Sequence, residues 1–276
     1  MKRLMNATSR ILGRLAAANP ELAAFCRGKL SLRECRSAPI SKDEARPPFP
    51  PGRLESYFDG NREGPGIWKW RHYFEIYERH FGRFVGQPVR VLEIGVYSGG
   101  SLAMWREFFG PRGEIVGVDI EAACQAYAGE GIQIVIGDQG SKQFWQEFCR
   151  TTEPFDIVID DGSHVPEHQR VTFEGIYDHI RPGGVYLCED ILGSSNHFGA
   201  FVAGLSQQLH HFERIEEDEQ DVENRLAFDA SALQRVTHSL HLYPLVAVVE
   251  KRARSLDRFV APMHGSSWQP SSFYRR

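Results

Sequence analysis

The sequence predicts an α/β fold built on a mostly parallel sheet, and three observations lead to this prediction. From residue 88 onward, short apolar and β-branched runs alternate with segments of helical character. The runs are nearly continuous in apolar residues, which is typical of strands covered on both faces. Near the end, two runs meet at Tyr243-Pro244, which predicts a hairpin and therefore an antiparallel pair at one edge of the sheet.

The elements of this fold follow in chain order. Strands are expected at residues 89–94, 114–119, 132–136, 155–160, 184–189, 236–243 and 245–251. Between them, helices are expected at residues 101–109, 141–150, 165–180 and 198–210. Strands that alternate with helices in this way predict a sheet with helices on both faces.

An aromatic segment precedes the first strand. Trp70, Tyr73, Phe74, Tyr77 and Phe81 recur at helical spacing, which predicts a helix that packs on the core through its aromatic face. A functional interpretation stands beside this one, in which an aromatic residue at position 68, 70 or 73 lines a substrate pocket.

Composition and charge divide the chain. Its 276 residues are 42% apolar and 25% charged, which excludes a wholly disordered or fibrous protein. Residues 1–50 carry a net charge of +6 and the remaining residues a net charge of -10. An acidic body argues against a nucleic-acid partner. We predict a basic helical extension with a Pro-rich linker at 1–51, an aromatic helical segment at 52–87, the α/β domain at 88–253 and a C-terminal tail at 254–276.

The basic arm and the cysteines bear on location. The arm is expected to be a solvated helical extension or a subunit contact, with docking to an anionic membrane or carrier as the alternative. No apolar run approaches the roughly 20 residues of a membrane span, and Arg10 and Arg14 interrupt any secretory signal. Five cysteines without a CxxC motif predict reduced thiols in a cytoplasmic protein.

Polar residues follow the first three strands, where an open parallel sheet binds its ligand. The turn after the first strand reads ExGxxxG, because Tyr97 breaks a dinucleotide fingerprint. Asp119 ends the second strand, where a carboxylate can accept both hydroxyls of a ribose. Asp138 and Gln139 follow the third strand, where either side chain can receive an adenine amino group. Together these features predict an adenosine site without a pyrophosphate grip.

Acidic residues follow the fourth and fifth strands. Asp161, Glu189 and Asp190 are expected to meet above the sheet as three hard oxygen ligands. Three adjacent carboxylates are costly unless a cation neutralises them, and this donor set suits Mg²⁺ better than Zn²⁺. His164 lies three residues past Asp161, and its imidazole suits a general base near neutral pH.

Four motifs carry a resemblance to a known family. VLEIGVYSGGS, VIDDGSH, PGGVYLCEDI and LHLYPLVAVVEK resemble the metal-dependent sugar O-methyltransferases of macrolide biosynthesis, over roughly residues 66–251. The cephalosporin hydroxylase-like group shares much of the pattern. The resemblance implies a Rossmann-like seven-stranded sheet with helical N-terminal additions. It also implies that Asp161, Glu189 and Asp190 bind the metal and that His164 is the base.

The resemblance further implies S-adenosylmethionine as the cofactor. Glu93 would face its methionine end, Asp119 its ribose and Asp138 its adenine edge. The complete set of expected cofactor-binding residues is Glu93, Gly95, Tyr97, Ser98, Gly99, Ser101, Asp119, Asp138, Gln139 and Asp160.

The function implied is Mg²⁺-assisted methyl transfer to a sugar hydroxyl, with a vicinal diol as the fitting acceptor. The acceptor would be a small molecule or saccharide, and the enzyme a homo-oligomer. The alternatives are a cephalosporin-hydroxylase-like enzyme, a catechol-type O-methyltransferase and a non-catalytic S-adenosylmethionine-binding module. The stretch 192–197 departs from the family pattern, so the resemblance leaves the acceptor open.

Overall fold

The computed structural model describes residues 51–193, 196–218, 220, 221, 223 and 225–267, together with residues 24, 25 and 28. The chain divides into two compact units, Met1–Pro50 and Pro51–Arg276. In the first unit the three described residues are helical and exposed, and the rest of the predicted basic arm lies outside the described residues. The second unit carries the sheet and the site.

The helices and strands of the second unit are numbered here in chain order. The α-helices are α1 Arg53–Gly60, α2 Tyr73–Phe81, α3 Gly100–Phe109, α4 Lys142–Thr151, α5 Pro166–Ile176, α6 His197–Leu209 and α7 Ala232–Val236. The strands are β1 Val89–Ile94, β2 Gly113–Asp119, β3 Ile132–Ile136, β4 Phe155–Asp160, β5 Ile180–Cys188, β6 Glu216–Glu217, β7 Leu226–Asp229, β8 Thr237–Tyr243, β9 Val246–Lys251 and β10 Arg258–Ala261.

Seven strands form the main sheet in the order β3-β2-β1-β4-β5-β9-β8. The pairs among β1 to β5 are parallel, whereas β9 runs antiparallel to both β5 and β8. The predicted fold class is therefore confirmed as a Rossmann-like, mostly parallel sheet with a C-terminal antiparallel hairpin.

Two hydrophobic clusters cover the two faces of this sheet. Side chains of β1 alternate between them, since Val89 and Val91 belong to one cluster and Leu92 and Ile94 to the other. Helices α1, α2 and α3 pack on the first face, and α4, α5 and α6 pack on the second. Coverage of both faces explains the continuous apolar runs of the central strands.

Helix α2 packs on the core through its aromatic face, as the sequence predicts, but Trp70 of the predicted face lies before the helix and is 53% exposed. Tyr73, Phe74, Tyr77 and Phe81 are all buried. The Tyr77 ring meets Trp105 of α3 edge-on, with ring centroids 5.0 Å apart, which is a favourable aromatic geometry. This packing holds α2 in place, and with it the segment 66–70 that precedes the helix.

Strand β5 is longer than the sequence suggests. We expected it to begin at Gly184, after a turn at residues 181–184. The structure starts it at Ile180, because Ile180 pairs with Phe155 before the register shifts and pairing resumes at Ile157. The Pro-Gly-Gly sequence therefore lies within an irregular strand.

A second, three-stranded antiparallel sheet has the order β10-β7-β6. The sequence predicts a solvated loop at residues 213–223 and a tail at 254–276. The structure instead pairs Glu216–Glu217 with β7 and adds β10 from the tail segment. The four-part division of the chain stays a prediction.

Two further features concern the predicted location. Among the described residues, no helix is both long and apolar enough to span a membrane. Cys124, Cys149 and Cys188 carry free thiols, while Cys26 and Cys35 lie outside the described residues.

Candidate active site

A cavity of about 920 Å³ opens at the carboxyl ends of the central strands. The strand order reverses at β1, which lies between β2 and β4, and open α/β sheets bind ligands at such a point. A volume of this size is typical of small-molecule sites. The cavity is lined in part by residues 66–70, 94–97, 118–121, 137–139, 161–164 and 189–190.

Two glycines shape the turn after β1. Gly95 has a φ of +92°, and a Cβ there would lie 2.1 Å from the carbonyl oxygen of Asp161. Gly99 has a φ of +74° and directly precedes α3, so Ser101 in the first turn of that helix reaches the cavity lining. The turn thus brings bare backbone to the cavity wall.

Asp119, at the end of β2, hydrogen-bonds to the backbone of this turn. Its Oδ2 accepts hydrogen bonds from the backbone N–H of Val96 at 2.8 Å and of Tyr97 at 3.1 Å, and its Oδ1 accepts one from Glu121 at 2.9 Å. Burial alone would raise the pKa of Asp119, but these backbone donors outweigh it and lower that pKa. An ionised carboxylate therefore lines the cavity one strand away from Gly95.

Asp138 and Gln139 differ in how many hydrogen bonds their side chains make within the protein. Asp138 accepts one hydrogen bond from the N–H of Gly140 at 2.8 Å and lines the cavity. The buried Gln139 amide donates to Asp160 and Thr172, and its oxygen accepts the N–H of Ser163. Gln139 also lines the cavity, yet its polar atoms hold the strand ends together.

Two predicted cofactor contacts are carboxylates buried behind the cavity wall. Glu93 accepts a hydrogen bond from Ser101 Oγ at 2.7 Å, and burial raises its pKa although Lys69 opposes that rise. Asp160 accepts hydrogen bonds from Gln139 and Tyr186, and burial raises its pKa to about 6. Both side chains support the site from inside the protein.

The predicted cofactor residues thus fall into two groups. Those that line the cavity are Gly95, Tyr97, Ser101, Asp119, Asp138 and Gln139. For the part of the chain that the structure describes, the lining does not include Glu93, Ser98, Gly99 or Asp160. Contact of these four residues with the cofactor stays a prediction.

The three predicted metal ligands do converge. Asp161 follows β4, and Glu189 and Asp190 follow the neighbouring β5, so all three line the cavity. The adjacent, parallel ends of these two strands explain why residues far apart in sequence meet here.

Lys69, which no sequence pattern indicates, lies within this carboxylate cluster. Its Nζ donates to Asp161 Oδ2 at 2.6 Å and to the two oxygens of Glu189 at 3.0 and 3.1 Å, and it lies 3.4 Å from Glu93 Oε1. Burial would lower the pKa of Lys69, but the surrounding carboxylates raise it well above its ordinary value. The cluster therefore contains its own ammonium ion.

Asp190 is oriented by two aromatic side chains. Its Oδ1 accepts hydrogen bonds from Tyr73 Oη at 2.7 Å and from Trp70 Nε1 at 2.9 Å, while its backbone is left-handed with a φ of +51°. Trp68, Trp70 and Tyr73 all line the cavity, and Trp68 is 84% exposed. The pocket-lining interpretation of this segment holds beside the core-packing one.

His164 faces the same carboxylates from the turn after β4. Its Nε2 lies 3.6 Å from Asp190 Oδ2 and 3.9 Å from Asp161 Oδ1. Its buried Nδ1 has no hydrogen-bond partner among the described residues. Each of Asp161, His164 and Asp190 offers one ligand atom, and these atoms lie within 4.8 Å of one another, so the trio could hold a metal ion.

Comparison with known proteins shows what this arrangement is similar to. Residues 92–191 match a family described as a methyltransferase domain. Demethylmacrocin O-methyltransferase of Streptomyces fradiae is 45% identical over 132 residues, which are 45% of this chain and 33% of that protein. The 8-demethyl-8-alpha-L-rhamnosyl tetracenomycin-C 2'-O-methyltransferase of Streptomyces olivaceus is 34% identical over 213 residues, which are 70% of this chain and 54% of that protein.

A solved structure gives the same result at the level of the fold. The MycE methyltransferase of the mycinamycin biosynthetic pathway, in complex with Mg, SAH and mycinamycin VI, is 33% identical with a TM-score of 0.58. The match covers 72% of this chain and 52% of that one. The chain thus spans between a third and about half of the length of these relatives. The predicted resemblance to sugar O-methyltransferases is confirmed.

Proposed function

Since residues 92–191 match a family described as a methyltransferase domain, we propose that the chain transfers a methyl group from S-adenosylmethionine to a hydroxyl of a sugar that presents a vicinal diol. The acceptor is a glycosylated small molecule or a saccharide, and the metal is Mg²⁺ or another hard divalent cation. One observation carries the proposal, namely that His164 and the free oxygens of Asp161 and Asp190 face one another at a cavity whose other wall bears Gly95 and Asp119.

The end of the cavity at Gly95 and Asp119 suits S-adenosylmethionine, the methyl donor. The bare backbone at Gly95 leaves room that a Cβ would fill, and the ionised Asp119 carboxylate can accept ribose hydroxyls. Asp119 Oδ1 accepts a backbone hydrogen bond from Glu121, and a carboxylate oxygen can accept a second one. S-adenosylmethionine supplies the methyl group as a sulfonium, and the residues of this end would bind and orient it.

The donor set at the other end suits a hard cation. Asp161 and Asp190 offer hard carboxylate oxygens, and no thiolate lies among the described cavity-lining groups near them. When bound, a divalent cation would draw the acceptor diol in and lower the pKa of one hydroxyl. Iron of the non-haem hydroxylases usually takes two histidines and one carboxylate. Carboxylates dominate this cluster, with His164 kept as the base, which supports methyl transfer over the hydroxylase alternative.

His164 acts as the base in this proposal. Its Nε2 faces the two carboxylates, where a positive charge that forms on the imidazole is stabilised. Asp190 is fixed by Tyr73 and Trp70, so the histidine meets a rigid partner. The proton of the acceptor hydroxyl would pass to His164, the oxygen would bond to the methyl carbon of the sulfonium, and the C–S bond would break to release S-adenosylhomocysteine. Most of the rate gain would come from alignment.

A transfer assay tests the proposal. The full chain, S-adenosylmethionine and Mg²⁺ are incubated with glycosides that carry a free vicinal diol, and with the same glycosides lacking one of the two hydroxyls. Mass spectrometry should detect a methylated product from the first set only. EDTA should abolish the product and added Mg²⁺ should restore it.

Two histidine variants serve as a matched pair in this assay. His164→Ala should bind the cofactor but lose turnover by roughly 10²–10⁴-fold, as expected for a missing general base. His238→Ala, an exposed histidine of β8, should retain wild-type turnover. Equal activity of the two variants would contradict the role of His164, and full activity in EDTA would contradict the role of the metal.

The proposal extends to location, assembly and acceptor. The free thiols of the described cysteines support a cytoplasmic location, and the proposed homo-oligomer rests on the family resemblance. A small-molecule acceptor is supported by the mycinamycin VI bound to the MycE relative.

A further inference from the structure

Trp68 is the most exposed of the large apolar side chains that line the cavity, with an exposed fraction of 84%. Its indole makes no hydrogen bond, ion pair or ring contact with the other described residues. A ring of this size in contact with water forgoes much of the stabilisation that burial would give. An exposed tryptophan on the wall of a ligand cavity therefore indicates a surface that a ligand covers.

The backbone under Trp68 is held by the residues on either side of it. Ile67 packs against the hydrophobic cluster of the first sheet face, and the Lys69 side chain is only 2% exposed. Trp70, which follows, is fixed by the hydrogen bond from its Nε1 to Asp190. Trp68 is thus presented to the cavity by an ordered segment, so a ligand that covers it has little backbone ordering to bring about.

Trp68 lies a short distance from the groups proposed to carry out the reaction. Trp70 Nε1 is 2.9 Å from Asp190 Oδ1, and Asp190 Oδ2 is 3.6 Å from His164 Nε2. Trp68 precedes Trp70 by two residues, which is at most about 7 Å of chain. A sugar whose diol lies at Asp190 and His164 would therefore place the group attached to it within reach of Trp68.

The other chain segment at this place also ends in an apolar side chain. Leu192, two residues after Asp190, is 46% exposed and lines the cavity. Trp68 and Leu192 therefore flank the hydrogen bond between Trp70 and Asp190, one on each segment. The hydroxyls of a second sugar would need hydrogen-bond partners there, whereas two apolar side chains favour an apolar group.

We infer that Trp68 determines specificity for the group attached to the methylated sugar, by stacking on an apolar ring of that group beside Leu192. The acceptor is then a glycoside with an apolar, ring-containing aglycone rather than the end of a polysaccharide. This inference rests on the proposed methyl transfer to a sugar and narrows its acceptor. Trp68 is a binding residue in this account and takes no part in binding the cofactor.

Two glycosides that differ only in the attached group test the inference without turnover. Methyl and phenyl α-L-rhamnoside both carry a vicinal diol, and only the phenyl glycoside carries an apolar ring. Each is titrated into the full chain in the presence of S-adenosylhomocysteine and Mg²⁺, and binding is measured by calorimetry. We expect the wild-type Kd for the phenyl glycoside to be at least about fivefold lower than that for the methyl glycoside.

Variants at position 68 assign this preference to the indole. Trp68→Ala should bring the two Kd values within about twofold of each other, while its affinity for S-adenosylhomocysteine stays that of wild type. Trp68→Phe keeps a ring and should retain a preference of at least about threefold. Phe212→Ala is the matched control, because Phe212 is also a large ring, 50% exposed, but is not among the cavity-lining residues. Thermal unfolding confirms that each variant is folded.

The outcomes separate this inference from the proposed function. If the wild-type chain binds both glycosides equally well, or if Trp68→Ala keeps the preference, the inference is overturned while the sugar acceptor stands. If Trp68→Ala changes the oligomeric state in sedimentation and leaves the preference unchanged, the surface belongs to a second copy of the chain and the inference is again overturned. If the wild-type chain binds S-adenosylhomocysteine but neither glycoside, both the inference and the proposed sugar acceptor fail.

Discussion

Three non-glycine residues at the cavity hold left-handed backbone conformations. Tyr97, His164 and Asp190 have φ values of 50°, 57° and 51°, and each follows one of the strands that end at the site. Such a conformation costs on the order of 1–2 kcal/mol per residue outside glycine. Strained backbone conformations that cluster around a cavity are typical of functional sites.

Gly95 offers a direct test of the turn at the same scale. Gly95→Ala should lower the free energy of unfolding by roughly 2–4 kcal/mol, because its positive φ and the nearby Asp161 carbonyl leave no room for a Cβ. Gly82→Ala is the matched control, since its φ is -55° and a Cβ there would meet nothing within 4 Å. Urea denaturation measures both, and equal effects would contradict the account of the turn.

Strand-end residues were predictable from the sequence, whereas their detailed contacts were not. Asp161 and Asp190 follow apolar runs that had to be neighbouring strands, so their meeting followed from topology. Lys69 gave no such signal, because it lies before α2 and reaches Asp161 across 92 positions of sequence. The burial of Lys69 depends on how α2 packs. The helical spacing of the aromatic residues predicts that helix but not its contacts.

At the scale of elements, His80 of α2 contacts the edge hairpin formed by β8 and β9. His80 Nδ1 lies 2.7 Å from Glu250 Oε1, and its Nε2 lies 2.9 Å from the Tyr243 hydroxyl. Burial lowers the pKa of His80, with His241 and Arg83 acting in the same direction and Glu250 opposing them. Because α2 also carries Tyr73, this contact links the hairpin to the site.

This lowered pKa predicts a pH dependence of stability. Below its ordinary pKa of roughly 6.5, the unfolded chain binds a proton at His80 more readily than the folded chain does. The free energy of unfolding should therefore fall as the pH falls from about 6.5 toward the lower pKa of the folded state. His80→Gln should flatten this slope, and His238→Gln, at an exposed position, should not. Urea denaturation between neutral pH and pH 5 measures the slopes, and an unchanged slope in His80→Gln would contradict the assignment.

The second sheet shows where sequence patterns fail at this scale. β6 has two residues, both glutamates, and pairs with β7 through backbone groups. A strand so short and so charged has no apolar alternation to reveal it. By contrast, the aromatic spacing of α2 and the apolar runs of the main sheet were long enough to be recognised.

At the scale of the whole molecule, the acidic excess has a partial explanation in the site. Carboxylates at positions 93, 161 and 189 bind one ammonium ion, and those at 161, 189 and 190 line a cavity suited to a cation and an adenosine-containing ligand. The basic excess lies in residues 1–50, most of which lie outside the described part, so the role of the arm stays a prediction. The matched relatives are about two to three times longer than the aligned segment, and the acceptor is for that reason a matter for experiment.

Binding of S-adenosylhomocysteine to the full chain, measured by isothermal titration calorimetry, tests the central claim most directly. The wild-type chain should bind the demethylated cofactor at one site. Asp119→Asn should weaken binding at least about tenfold, because it loses the charge that orients the turn and meets the ribose. Asp178→Asn, an exposed control outside the cavity lining, should bind like wild type. No binding by the folded wild-type chain, or equal affinities of the two variants, would contradict the assignment of this cavity as the cofactor site.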